Sequence, residues 1–355
     1  MVFLIVWSEV TLVIKIQKEN HNQLIIDILT KVGLSNEQAE MASKIMNYAD
    51  IRGIDSHGLI LLKTYVERIR NKIISKEPIY KWFQKTTVIS LLDGDHGIGH
   101  FLGNLAMEEA IKTAKKNSLG LVLVKNATHY GASGYYTELA AKHGMIGITT
   151  TNTMPLMAPT GGAERVLGNN PISFSVPREG EDPVVVDIAT SVVAAGKLIL
   201  QNQKNEPIPE GWALDKNGKP TTDPFEGYEG GGTLLPIGNH KGYALSFIMD
   251  VLAGVLSGSG YGKKVGHSDI GFIMMAIDIE QIMPREQFNI RLDDFITMVK
   301  GAKKANKNNS IYLPGEIEYS KKKEREKHGV TINENLYKEL KQLISDLELS
   351  VDQYF

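Results

Sequence analysis

The sequence predicts an α/β protein, and three observations carry that prediction. From about residue 86 to 277, short β-rich runs alternate with helical stretches, the pattern of helices covering a sheet. Residues 18–80 carry apolar side chains at helical spacing. Near the far end, Leu336, Leu340, Leu343, Ile344 and Leu347 mark one amphipathic helix.

The elements follow in order. Met1–Ile14 is apolar but lacks a basic leader, is interrupted by Glu9 and has no small-residue cleavage site. It reads as a strand or a disordered overhang, not a signal peptide, and is too short to span a bilayer. Leu24, Ile25, Ile28, Leu29 and Val32 share one helical face that Gly33 can end. Ser35 and Gln38 make a capping-box pattern before Ala39, Ala42, Ile45 and Met46. Leu61, Leu62, Tyr65, Val66 and Ile69 have the spacing of a third helix. The strand candidates are Thr87–Leu92, Leu121–Val124, Ile146–Thr151, Ile172–Val176, Val184–Val186 and Phe272–Ile277, with helical stretches at Asn104–Lys116 and Tyr135–His143. Residues 205–238 are rich in Pro, Gly and Asp and read as mostly loop. Ala244–Leu256, the most apolar later stretch, has the length of a buried helix, and Lys321–Lys327 reads as a solvated charged face.

Composition narrows the function. The 355 residues hold 39 basic against 41 acidic side chains, a formal charge of −2 that argues against a nucleic-acid partner. With no cysteine, disulfides, thiol nucleophiles, thiolate zinc sites and cysteine-ligated clusters are excluded. There are 34 glycines but only 13 prolines, which suggests tight turns and close backbone approaches rather than disorder. With no targeting or membrane-spanning segment predicted, a cytoplasmic location is expected.

Gly97-Ile98-Gly99 with Gly103 imitates a dinucleotide fingerprint. The third glycine is one residue late and no acidic residue follows at the right distance, so a tight turn feeding a helix is the preferred reading. Two histidines sit in better surroundings. His57, in Asp55-Ser56-His57-Gly58, is expected at a helix start whose N–H groups could bind an anion. Tyr65 falls eight residues later, about two turns along the same face. His129, in Asn126-Ala127-Thr128-His129-Tyr130-Gly131, follows a strand. An imidazole near neutrality suits proton exchange between a carbonyl and an alcohol. Lys241 could neutralise a phosphate or carboxylate. No metal-ligand spacing is present, and no metal site is expected.

Taken together, these segments resemble the malate/L-lactate dehydrogenase family that is distinct from the Rossmann-fold enzymes, with ureidoglycolate dehydrogenase, sulfolactate dehydrogenase and 2,3-diketogulonate reductase among its members. The resemblance spans about residues 18–350. It rests on Arg52-Gly53-Ile54-Asp55-Ser56-His57-Gly58, the His129 stretch, Thr151-Asn152-Thr153 through Thr160-Gly161-Gly162, and Gly168 through Pro171. Asp187-Ile188-Ala189-Thr190, Thr221-Thr222-Asp223-Pro224, Lys241-Gly242-Tyr243 and Pro314-Gly315-Glu316 follow in order.

The resemblance implies a non-Rossmann NAD(P)-binding sheet domain (86–317, with the irregular 205–238 segment) and a discontinuous helical domain (18–85 plus 318–355), with 1–17 as an overhang or strand. It implies hydride transfer between a nicotinamide cofactor, NAD in preference to NADP, and a small 2-hydroxy or 2-oxo acid, in a homodimer. His57 or His129 would be the acid/base group, with Ser56 and Tyr65 on the substrate side. Thr153, Asp187, Ile188, Ala189, Lys241, Gly242, Pro314, Gly315 and Glu316 would lie against the cofactor.

Three departures stand out. Where relatives place an arginine suited to grip a substrate carboxylate, this chain has Leu61, and Arg52, Lys63 and Arg68 are out of that register. Asn169 stands where threonine is common. The stretch between Gly262 and Gly271 is short. Ureidoglycolate and malate or lactate are the expected substrates, with a cyclic imine acid reductase as an alternative. Outside this class, Asp55, His57, His129 and Asp187 could serve a metal-dependent hydrolase or lyase, and a catalytically inactive binding protein is the third reading.

Overall fold

The computed structural model describes residues 14–355. In chain order, β1 (Ile14–Ile16) leads into α1 (Lys18–Lys31), α2 (Asn36–Ile51) and α3 (Leu62–Arg70). The expected strand or overhang at the N-terminus otherwise lies outside the described residues. Helix α1 stops before Gly33, whose φ of +106° is strained for an L side chain. Helix α2 opens on the expected reciprocal cap. Ser35 Oγ accepts the Gln38 N–H at 3.3 Å, and the Ser35 N–H donates to the Gln38 side chain at 3.1 Å. The helical reading of 18–80 fails in its last part. Lys72 turns the chain at φ +60° and Pro78 removes a donor. Lys81–Gln84 is then a strand, β2, on the sheet edge.

Next come β3 (Ile89–Asp93), α4 (Gly99–Asn117), β4 (Leu119–Ala127), α5 (Ser133–Lys142), β5 (Met145–Thr151), β6 (Ile172–Val176), β7 (Val184–Ile188) and α6 (Ala195–Lys204). A small three-stranded sheet of β8 (Ala213–Leu214), β9 (Pro220–Thr221) and β10 (Thr233–Leu234), with α7 (Pro224–Gly227), occupies the segment expected to be loop. The chain ends with α8 (His240–Asp250), β11 (Ile270–Asp278), α9 (Arg285–Lys300), α10 (Glu316–His328), β12 (Val330–Ile332) and α11 (Glu334–Asp346).

The main sheet has seven strands in the order β2-β3-β4-β11-β5-β6-β7. Only β3 and β4 pair in parallel, across α4. Strand β11 inserts between β4 and β5, antiparallel to both, so β3, β4 and β5 all run the same way. Their carboxyl ends therefore share one side of the sheet, where the loops after them are free to build a site. One apolar core runs from α1, α2, α3 and α11 through α4 into the central strands. A second, smaller core gathers Met157, Leu198, Ile208 and Leu234. Pairing of β12 with β1 returns the C-terminal segment to the N-terminal helices.

Ala244–Leu256 differs from its expectation. It is helical, passing from α8 into a π-helical turn at Val251–Val255, but Leu245, Phe247, Ile248, Val255 and Leu256 are exposed. Small residues hold its other side against the sheet, where a Cβ on Gly271 would lie 1.8 Å from the Ala253 carbonyl. Helix α9 was not among the expected elements, although Phe288, Leu292, Ile296 and Val299 recur at helical spacing and form its partly buried side; Asn289 is its one fully buried residue. The Lys321–Lys327 charges ride on α10, whose buried residue is Tyr319.

Candidate active site

Between α2 and α3, Asp55–His57 and Leu59–Leu61 form two 3₁₀ turns. Asp50, in the last turn of α2, is buried and holds them in place. Its Oδ2 accepts the Leu59 N–H at 2.8 Å and lies 2.7 Å from His21 Nε2 on α1. From α10, Arg325 donates to the Asp50 carbonyl and to the Asp55 carboxylate. Beside them, one terminal nitrogen of Arg52 donates to both carboxylate oxygens of Glu138 on α5, at 3.0 and 2.9 Å, with the guanidinium 3.6 Å over the Tyr48 ring. This corrects the expected anion-binding helix start at His57. Helix α3 begins five residues later. The His57 amide donates to the Ile54 carbonyl at 3.0 Å and the Leu59 amide to Asp50, so these donors are already used.

The turn carries His57 toward the loop after β4. The His57 and His129 rings stack 5.5 Å apart. The Tyr65 hydroxyl, on α3, lies 2.7 Å from His129 Nδ1, and Ser56 Oγ lies 2.9 Å from His57 Nδ1. Ser56, His57, Tyr65 and His129 thus form one cluster although they come from two separated segments.

Sequence reasoning missed one neighbour of this cluster and set a second aside as out of register. His100, in the first turn of α4, is fully buried, meets the Tyr65 ring edge-on at 5.0 Å and lies 6.4 Å from the His129 ring. It sits inside the glycine trio that imitated a cofactor loop. A Cβ on Gly99 would come within 2.1 Å of the Thr128 carbonyl, so the glycine serves the close approach of α4 to the His129 loop. The second is Arg68, one turn beyond Tyr65 on α3, which donates to His267 Nδ1 at 3.1 Å. Its spacing of three residues from Tyr65 was the available signal.

Burial sets the protonation of this cluster. It lowers His57 to about 4 and His100 to about 3. It also lowers His129 well below the usual range, with the charges of His57, His100 and Arg68 adding to the effect. Burial raises the Tyr65 phenol, against the opposing pull of Arg68. Near pH 7 the three rings are therefore neutral and the phenol keeps its proton.

The remaining expected residues are linked by one polar network. Thr153 Oγ1 donates to the Asn169 side chain at 2.9 Å, and the Thr153 N–H donates to Asn170 Oδ1 at 3.0 Å. The Asn169 carbonyl accepts the Thr190 N–H at 2.9 Å, the Thr190 carbonyl accepts from Ile237, and the Ile237 carbonyl accepts from Gly242. The Asp187–Thr190 and Lys241–Gly242 segments are thereby held together. Ile188 is exposed and Ala189 partly buried. Lys241 projects from the first turn of α8, exposed and without an ion pair among the described residues.

Asp187 joins the two halves of the site. Its Oδ2 accepts the Gly134 N–H at 2.7 Å, at the start of the helix that follows the His129 loop. Burial raises its carboxyl to about 6, although that N–H opposes the shift. The Pro314–Glu316 turn docks on β7 through Val185 N–H to the Pro314 carbonyl at 3.1 Å, with Gly315 at φ +92°. Glu316 is paired with Lys300 and accepts the Leu313 N–H. Among the described residues no cluster of histidines and carboxylates has the arrangement to hold a metal ion.

The sequence profile of the malate/L-lactate dehydrogenase family matches residues 16–341. The chain belongs to this family. It is an oxidoreductase of the hydroxy-acid dehydrogenase type. Among family relatives, a malate dehydrogenase from Pyrococcus abyssi is 40% identical over 93% of this chain and 94% of its own length. A ureidoglycolate dehydrogenase (NAD(+)) from Escherichia coli K12 is 35% identical over 94% and 95%. The solved structure of the sulfolactate dehydrogenase from Methanocaldococcus jannaschii superposes with a TM-score of 0.89 at 37% identity, covering 96% of this chain and 99% of that one.

Within this family member, His100 should cost stability. Neither of its ring nitrogens has a hydrogen-bond partner among the described residues. His100→Leu is expected to be neutral or to stabilise by about 1 kcal/mol at pH 7. It should also flatten the acid limb of stability. The unfolded chain takes up a proton below about 6.5 that the folded site refuses until about 3, so wild-type stability falls as pH drops through that window. At pH 4.5 the loss from this ring is roughly 2–3 kcal/mol. Urea unfolding at pH 7.5 and 4.5 checks it. A variant less stable at both pH values, with an unchanged pH slope, would show that the ring has a partner after all.

Proposed function

We propose that the protein transfers a hydride between a nicotinamide dinucleotide and a 2-hydroxy acid/2-oxo acid pair, with His57 and His129 managing the proton. The single observation that carries this reading is the cluster of neutral, partly buried His57 and His129 with the buried, proton-bearing Tyr65. It lies against the loop that follows β4 and is coupled through Asp187 and Gly134 to the segments expected to hold the cofactor. When bound, the dinucleotide supplies the hydride or accepts it. Lys241, Ile188 and Asp187 fit such a group: an unpaired ammonium for its phosphates, an exposed apolar side chain for a ring face and a carboxyl for a polar edge. No arginine or lysine cluster suited to a 2′-phosphate marks the sequence, which favours NAD.

The chain's own part is proton handling. In the oxidation direction, His129 with its proton on Nδ1 donates to the Tyr65 oxygen, leaving Nε2 bare to accept the substrate hydroxyl proton. Reduction returns that proton from the imidazolium to the carbonyl oxygen. His57 stacks on His129 and hydrogen-bonds the same substrate oxygen, with Ser56 fixing its ring. Asp50, Gly58 and Arg325 hold the turn that presents them.

The substrate is a small 2-hydroxy or 2-oxo acid. With Leu61 apolar, a second carboxylate finds no cation there, so ureidoglycolate or a lactate-like acid is preferred over malate. The exposed apolar flank of Leu245, Phe247, Ile248, Val255 and Leu256 supports a homodimer. Absorbance at 340 nm, screened over 2-oxo and 2-hydroxy acids including ureidoglycolate with NAD and NADP, tests the reading. Turnover with at least one such acid is expected, and none with any would overturn it. Sedimentation of the same preparation should give twice the chain mass, and a monomer would remove the dimer.

A further inference from the structure

Among the described residues, Arg68 is a charge without a counter-charge. The arginine ion pairs among the described residues are Arg52 with Glu138 and Arg325 with Asp55. Arg68 instead donates through one terminal nitrogen to the neutral side chain of His267, at 3.1 Å. A guanidinium has five N–H donors, so most of its planar fork stays unused. It is also not a free surface arginine. Lys63, Glu67 and Arg70 of the same helix are exposed, whereas Arg68 is partly buried, and burial, countered by Tyr65, lowers its affinity for its proton. Its charge is felt at Tyr65, at His129 and at His267.

The helix explains why. Leu61, Tyr65 and Arg68 are spaced four and three residues apart, so they share one face of the α3 region. The Leu61 and Arg68 positions therefore flank Tyr65, before and after it. The segment after Gly262 closes over the Arg68 side. His267 meets Arg68, while His96 Nδ1 lies 2.6 Å from the Ser268 carbonyl and ties that short loop to the turn after β3.

We propose that Arg68, oriented by His267, grips the carboxylate of the substrate and sets the preference for a single carboxylate. This rests on the hydride-transfer reading above. A desolvated guanidinium with an open fork is the group that recognises a carboxylate bidentately. The apolar Leu61 on the other side of Tyr65 offers nothing to a second acid group. His267 is a positioning residue that holds the fork from behind.

The test uses oxamate, an unreactive isostere of a 2-oxo acid with one carboxylate, and oxamide, its neutral counterpart. Both are titrated calorimetrically into the full chain with and without NADH, alongside KM and kcat for whichever 2-oxo acid turns over. Arg68→Gln is expected to weaken oxamate binding and raise KM by roughly 10- to 100-fold. Oxamide binding should not change, and kcat should fall by less than KM rises. Arg68→Lys, which keeps the charge but loses the fork, should recover part of the affinity, and it is read alone if Arg68→Gln does not fold. His267→Ala should raise KM severalfold at nearly constant kcat.

Turnover of a 2-oxo acid with oxamate affinity and KM unmoved by Arg68→Gln overturns the carboxylate assignment and leaves hydride transfer standing. Oxamate binding that depends on Arg68, in a protein that reduces no 2-oxo acid, keeps the assignment and overturns the reaction. Equal losses of oxamate and oxamide binding also overturn the assignment, because they show a collapsed pocket rather than a lost charge contact. If oxamate does not bind the wild type at all, the assignment falls with it.

Discussion

Replacing His129 with asparagine is expected to lower kcat by roughly 10²- to 10⁴-fold, the usual worth of a positioned acid/base group. Asparagine keeps a polar atom near the Tyr65 hydroxyl, which lies 2.7 Å from His129 Nδ1, so the packing of α3 on the loop after β4 should survive. The same exchange at His57 should cost less if His57 only hydrogen-bonds the substrate oxygen, and as much if it is the proton carrier. The pH profile adds an independent reading. Oxidation of a hydroxy acid needs the neutral imidazole. Burial lowers His57 to about 4 and His129 well below its ordinary value, so both stay in that form across neutrality. The value of kcat/KM for oxidation should stay flat through pH 6.5 and fall only well below it. Reduction needs the imidazolium, so its rate should rise as pH falls over the same range. Near-normal turnover in both single variants would sink the assignment. An oxidation profile that breaks at 6.5 would show that the rings titrate as solvent-exposed histidines.

Much of the sheet was legible in the sequence because its strands are buried on alternate or both faces. Ile172–Val176 was read with its true ends, and Leu121–Val124 and Phe272–Ile277 mark the centres of β4 and β11. The cap at Ser35 and the stop at Gly33 were equally readable, since both depend on local hydrogen bonds and backbone angles. Helix α9 was overlooked rather than illegible, since Phe288, Leu292, Ile296 and Val299 repeat at helical spacing on its partly buried side. The insertion of β11 between β4 and β5 was not readable, since strand order is set by long-range packing.

In the site, His57 and His129 could be singled out by their glycine and serine neighbours. His100 could not, because its neighbours argued for a turn and its place beside Tyr65 depends on how α4 crosses the sheet. Arg68 was seen but judged out of register with the missing arginine. A register comparison looks for the same position, whereas the helix offers the same face two turns later.

Gly58 shows the same limit in reverse, and Gly58→Ala is the second large effect. Next to His57, the glycine reads as room for a ligand to approach the backbone. The structure gives it a different task. A Cβ there would lie 1.8 Å from Asp50 Oδ1 and 2.0 Å from Asp50 Cγ, inside the carboxylate itself. Asp50 has little freedom to move away, because it is buried, accepts the Leu59 N–H and is paired with His21. One of two things must give. Either Asp50 swings off, leaving His21 and the Leu59 amide without their partner, or the turn carrying His57 is pushed out of the site. Leaving each of these buried groups without its hydrogen-bond partner costs on the order of 1–3 kcal/mol. Moving His57 by about 1 Å costs about 10²-fold in rate. Gly58→Ala is therefore expected to lose both stability in urea unfolding and kcat/KM. Gly161→Ala is the matched control. Its φ of +87° is strained, unlike that of Gly58 at −101°, but nothing lies within 4 Å of the added carbon, so only about 1 kcal/mol should be lost. If Gly58→Ala loses no more than Gly161→Ala, the contact with Asp50 carries no cost, and Asp50 is not what fixes the position of His57.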